Sequence, residues 1–178
     1  MKNIIFINTH LGSGADKLMS ALSENKHIQE FKGFVPFYHP DDLYQMTNSR
    51  HKCNNISAIY MHGLWDNKDW VRKPVRKISK FIHLIREPKF ALNEMKKLYP
   101  KHDEIHLERY YCLRLRGIYE MWQLTPNSVV MNVDNLNQFQ LKEMFEIDRD
   151  ILFQLTEQVS SCSTSQEAYN RFSNLLNL

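Results

Sequence analysis

Residues 3–24 read NIIFINTHLGSGADKLMSALSE. Ile4, Ile5, Phe6 and Ile7 form a run without charge, the pattern of a strand buried on both faces. Gly12, Ser13 and Gly14 follow, and Leu18, Ala21 and Leu22 then recur at helical spacing. A strand that turns through glycines into a helix gathers several backbone N–H groups and the positive end of the helix dipole at one point. Phosphate and sulfate bind at such points. The stretch therefore predicts a chain that handles an anionic, nucleotide-like ligand.

The same alternation continues downstream. Short apolar runs at Phe34–Phe37, Ala58–Met61, Phe81–Ile85 and Val129–Val133 join the first run at Ile4–Asn8 as expected strands. Helical patterns are expected at Ala15–Glu24, Asp41–Thr47, Lys68–Ser79, Lys89–Tyr99, Glu104–Leu124, Gln138–Phe145, Arg149–Ser161 and Ser165–Leu176. Short apolar strands separated by helices imply a parallel sheet covered on both faces. The expectation is one doubly wound α/β domain over residues 1–178, with about five strands and a helical last third. In the long helix, Ile105, Tyr111, Leu115, Ile118 and Trp122 form the expected core stripe, and Pro126 with Asn127 ends it.

Composition narrows the classes. The hydrophobic fraction of 43% and the charged fraction of 24% are those of a globular protein. A net charge of +3 with an isoelectric point near 8.7 suits a small anionic ligand better than a nucleic-acid coat. The basic run Lys68, Arg72, Lys73, Arg76, Lys77 and Lys80 reads as a solvated helix face, or as a patch that steers an acidic substrate. Cys53, Cys112 and Cys162 are odd in number and far apart, which argues against a disulfide framework and a zinc knuckle and for reduced thiols. His102 and His106 stand four residues apart but lack a third ligand, so no metal is expected. No apolar run reaches the length of a membrane span and no signal peptide precedes the first strand, so a cytoplasmic location is expected.

Ligands of open parallel sheets bind beyond the carboxyl ends of the strands. Those ends carry Thr9, His10 and the glycine turn, then His62 and Gly63, then Arg86, then Asp134 and Asn135. A glycine turn, a histidine and an arginine at neighbouring strand ends make an anion site with a general base. The plainer reading of Arg86 is an ion pair with Glu87 or Asp134, and that of His62 and His10 is a structural histidine. The turn is not a Walker A loop, because Ala15 and Asp16 follow Gly14 where Lys and Ser/Thr are required. It also fails the dinucleotide fingerprint at Lys17.

FINTHLGSGADKL, YMHG, KFIHLIREPKFALNEM, YYCLRLRGIYEMWQLTPNSVVMNVDNL and QLKEMFEI resemble, in order and spacing, segments of the sulfotransferase family, over about residues 3–147. That resemblance implies a P-loop-related fold and 3′-phosphoadenosine-5′-phosphosulfate (PAPS) as sulfuryl donor, leaving adenosine 3′,5′-bisphosphate (PAP). It implies that Gly12, Ser13, Gly14, Ala15, Asp16 and Lys17 cradle the donor's phosphosulfate end. Arg86 would grip the 3′-phosphate. Asn93, beside Glu94 at the family's serine position, would donate to that phosphate. Gly12 stands where the family carries Lys or Arg; Lys17 or His10 would replace that cation. His62 would be the general base, acting on a hydroxyl or amine of a saccharide or small metabolite. Two other readings stay open. One is a degenerate relative that binds a nucleotide or a protein partner without catalysis. The other is a divergent P-loop kinase, opposed by the missing Gly-Lys-Ser/Thr.

Overall fold

The computed structural model describes residues 4–26, 28–31, 56–62, 80–155, 157–160 and 163–176. Strands β1 (Ile4–Thr9), β2 (Ile28–Phe31), β3 (Ile56–His62), β4 (Lys80–Ile85) and β5 (Ser128–Asn132) form one sheet in the order β2-β3-β1-β4-β5. Every pairing is parallel. The helices are α1 (Ala15–Ser23), α2 (Pro88–Leu98), α3 (Glu104–Leu124), α4 (Gln138–Phe145) and α5 (Ser163–Leu176). The expected α/β architecture, a parallel sheet flanked by helices, is present.

Alternation along the strands divides the core into two layers. Ile5, Ile7, Ile82, Leu84 and Met131 point to one face, where Leu18, Met19 and Leu22 of α1 and Leu141 and Phe145 of α4 cover them. Phe6 and Phe81 stack at 5.1 Å between ring centroids, and Phe81 stacks in turn on His83. Beyond β4, Ile85 packs with Ala91, Leu92 and Met95 of α2, Tyr111, Leu115 and Ile118 of α3, and Tyr169 and Phe172 of α5. Each large apolar side chain removed from water contributes roughly 1.5–3 kcal/mol.

Local signals set most helix starts. Pro88 occupies the first position of α2, where its fixed φ suits the helix and its missing N–H costs nothing. The Asp103 carboxylate accepts the His106 N–H at 2.7 Å and caps α3. His106 hydrogen bonds also hold the Asp103 carboxyl below its usual range. The Asn137 side chain accepts the Gln140 N–H at 3.0 Å and caps α4.

Several expectations differ from the structure. Arg149–Ser161 is not helical over its described residues. Gln138 donates to the Ile151 carbonyl and accepts the Ile151 N–H, both at 2.9 Å, taking the two backbone groups a helix would use there. The segment is held again where the Ser160 N–H donates to the Lys89 carbonyl at 2.9 Å. The last third is therefore only partly helical. In α3 the buried stripe runs through Leu107, Tyr111, Leu115, Ile118 and Met121, while Ile105 is exposed. Strand β2 was not expected: IQEF carries a charge, which an edge strand tolerates. The expected strand Phe34–Phe37 and the helices Asp41–Thr47 and Lys68–Ser79 lie outside the described residues.

Candidate functional site

The strand order places a crevice between β1 and β4. The chain leaves β1 towards β2 on one side of the sheet and leaves β4 towards β5 on the other. Connections that diverge from adjacent parallel strands open a cleft beyond their carboxyl ends. The glycine turn and Arg86 emerge there.

Gly12 and Gly14 have φ of 74° and 79°, in the left-handed region that only glycine enters without strain. Both positions are also tightly packed. A Cβ on Gly12 would lie 2.3 Å from the Ala91 carbonyl oxygen of α2, and one on Gly14 would lie 2.5 Å from Cδ2 of Leu155. Gly14 is the N-cap of α1 and its carbonyl accepts the Lys17 and Leu18 N–H groups. Ser13 is buried; its Oγ accepts the Ala15 N–H at 3.3 Å, and its own N–H donates to the His10 carbonyl. Asp16 and Lys17 are exposed in the first turn of α1.

His10 links the turn to Arg86. Its Nε2 accepts the Arg86 backbone N–H at 3.1 Å, and its Nδ1 lies 2.8 Å from the Leu11 carbonyl. An amide N–H needs an acceptor and a carbonyl needs a donor, so these partners select the neutral ring with the proton on Nδ1. The Tyr111 hydroxyl donates to the Arg86 carbonyl at 2.7 Å, and the Tyr111 and His10 rings meet edge to face. The expectation that His10 replaces the missing loop cation is thus corrected: its ring is neutral and both nitrogens hold backbone in place.

Arg86 is 1% exposed. Its Nε donates to Asp134 Oδ1 at 3.0 Å, and its guanidinium lies 5.2 Å from the centroid of the Phe90 ring. Of the two carboxylates weighed from the sequence, Asp134 is the partner; Glu87 pairs with Lys89 at 2.8 Å. Asp134 is set by a short helical turn, Val133–Asn135, in which the Asn132 side chain accepts the Asp134 N–H and donates to the Tyr169 hydroxyl. Burial pushes the Tyr169 hydroxyl pKa upward.

Asn93 lies on α2, where at about 100° per residue it shares a flank with Lys89. Its Nδ2 is buried with no hydrogen-bond partner among the described residues. Glu94 shares a flank with Phe90 and pairs with Lys97 at 3.0 Å. His62 closes β3 in register with Thr9 of β1, so its backbone lies at the same end of the sheet. Phe90 under Arg86 escaped the sequence reading, although a spacing of four residues into a helix was its signal. Tyr111 was expected only in the core stripe of the long helix, and nothing in the sequence tied its hydroxyl to Arg86. Among the described residues no group of three His, Cys, Asp or Glu side chains could hold a metal ion, and no helix is long and apolar enough to cross a membrane.

Strand order, parallel pairing and a glycine turn leading into α1 define a P-loop-like α/β fold. Two solved structures are similar to it. Shikimate kinase from Bacteroides thetaiotaomicron has a TM-score of 0.50 at 13% identity, over 99% of each chain. Mouse sulfotransferase SULT7A1 complexed with PAP has a TM-score of 0.52 at 12% identity, over 97% of this chain and 65% of that one. At such identity the likeness is one of fold. No protein-family model matches the sequence, and no curated protein matches it.

Proposed function

We propose that the crevice outside β1 and β4 binds a nucleotide with a 3′-phosphate, and that the chain is a sulfotransferase using PAPS. The observation that carries this reading is the buried Arg86 guanidinium beside a glycine turn that has no Walker lysine. The P-loop-like fold and the likeness to a sulfotransferase solved with PAP support it. The residues fit an anionic group in two respects. The N-cap Gly14 has no side chain with which to cap α1, although Ser13 Oγ accepts the Ala15 N–H, and the turn has the left-handed glycines of an anion cradle. The donor would supply the sulfuryl group. On this reading Ser13, Gly14 and the first turn of α1 hold its phosphosulfate end. Lys17 offsets charge from the exposed side, and Arg86, aimed by Asp134 and Phe90, meets the 3′-phosphate. His62 takes the proton from a hydroxyl or amine of a saccharide or small metabolite.

The end-to-end likeness to shikimate kinase favours a second reading, a divergent kinase that transfers phosphoryl rather than sulfuryl groups. Gly12, packed on Ala91 where the family carries a cation, favours a third, nucleotide or partner binding without catalysis. Calorimetry on the full chain with PAP, ATP–magnesium and GTP–magnesium separates the nucleotides. PAP is expected to bind, and Arg86→Lys to weaken it by about tenfold or more, because lysine cannot reproduce the planar fork. Binding of ATP–magnesium without PAP would overturn the sulfotransferase reading. Given PAP binding, sulfuryl transfer to an acceptor panel, lost in His62→Ala, separates enzyme from binder.

A further inference from the structure

A cavity of about 430 Å³ lies between the end of α2, the start of α3 and Leu11 of the glycine turn. It is separate from the Arg86 cluster, and its volume falls in the range of small-molecule sites. Leu11, Met95 and Leu107 form its apolar floor, and Met95 and Leu107 are themselves core residues. Tyr99 and Tyr110 supply aromatic surface, the lining that suits a flat ring. A thioether such as that of Met95 also packs well against ring edges.

The polar part of the lining has one sign. Arg114 is its permanent charge, His102 and His106 are its other polar heads, and no carboxylate lines it among the described residues. Asp103, outside the lining, accepts the His106 N–H and lies 3.0 Å from His106 Nδ1. The cation is already aimed: Arg114 Nε donates to the Tyr110 hydroxyl at 3.0 Å, and the guanidinium sits 5.1 Å from the Tyr110 ring centroid. A guanidinium fixed at one end of an apolar, aromatic cavity matches a ring that carries a carboxylate or similar anion.

We infer that this cavity is a binding site for a small aromatic anion, a flat ring held over Leu11, Met95 and Leu107 with its acidic group on Arg114. The site stands whether or not the nucleotide reading does. Its floor includes the residue directly before Gly12, so an occupant would touch the glycine turn itself.

The test is calorimetry on the full chain with indole-3-acetate and its neutral counterpart indole-3-acetamide. The acetate is expected to bind one to one, and about tenfold or more tighter than the amide. Arg114→Met should bring the acetate down to the level of the amide. Tyr99→Ala, at a 42% exposed position, should weaken both by severalfold. Equal affinity for the two probes, no binding at millimolar concentration, or an acetate affinity unchanged in both variants would overturn the inference.

Discussion

Two buried histidines on adjacent strands of this sheet, one just past the end of β1 and one within β4, do different work. His10 follows β1 and His83 lies within β4; both are fully buried and both use their two ring nitrogens. The partners of His10 are backbone groups at the crevice, the Leu11 carbonyl and the Arg86 N–H. Those of His83 are side chains between the sheet and α3. The Thr125 hydroxyl gives its own proton to the Met121 carbonyl at 2.8 Å, so it accepts from His83 Nε2 at 3.0 Å. Nδ1 then accepts from the Asn8 amide at 3.1 Å. Burial without a charged partner pushes the His83 pKa down to about 3. One histidine braces the site and the other seals the core. Residue type and apolar surroundings are alike, so only the partners tell them apart.

The largest effect should come at the crevice. Asp134→Ala leaves the buried Arg86 guanidinium without its carboxylate and should cost about 3 kcal/mol, read as a lower urea midpoint. A cost below about 1 kcal/mol would mean that the crevice is no more tightly built than the surface.

The two glycines should differ next. Gly12→Ala drives a methyl group into the backbone carbonyl of Ala91, which cannot swing aside, and should cost about 2–3 kcal/mol. Gly14→Ala meets only the flexible end of Leu155 and should cost about 1 kcal/mol, mostly from its positive φ. Equal losses would show that conformation rather than packing dominates both.

The smallest effect per step is the pH dependence of the core histidine. Above about pH 6.5 His83 is neutral folded and unfolded, and contributes no slope. Between about 6.5 and 3 the unfolded chain binds a proton that the folded chain refuses, so stability falls by roughly 1 kcal/mol per pH unit as pH drops. Urea titrations across that window should lose this part of the slope in His83→Phe. An unchanged slope would assign the acid sensitivity to other groups.

Much of the fold was legible because burial writes itself into the chain. The runs at Ile4–Asn8 and Phe81–Ile85 and the spacing of Glu104–Leu124 match β1, β4 and α3 closely, since a strand covered on both faces is mostly apolar. The non-helical path after residue 149 was not legible, because it depends on Gln138 reaching thirteen residues along the chain. At the site, the glycine turn and Arg86 could be picked out as strand-end residues. The neutral state of His10 and the choice of Asp134 over Glu87 could not, since each depends on chain segments that meet only after folding.

By itself the sequence determined the layering, strand and glycine turn into helix, because periodicity and backbone freedom are local properties of a few adjacent residues. The tertiary structure alone decided which charges and ring nitrogens are spent on the scaffold. A hydrogen bond is chosen by distance and direction in space, and His10, Arg86, Tyr111 and Asp134 come together from four parts of the chain.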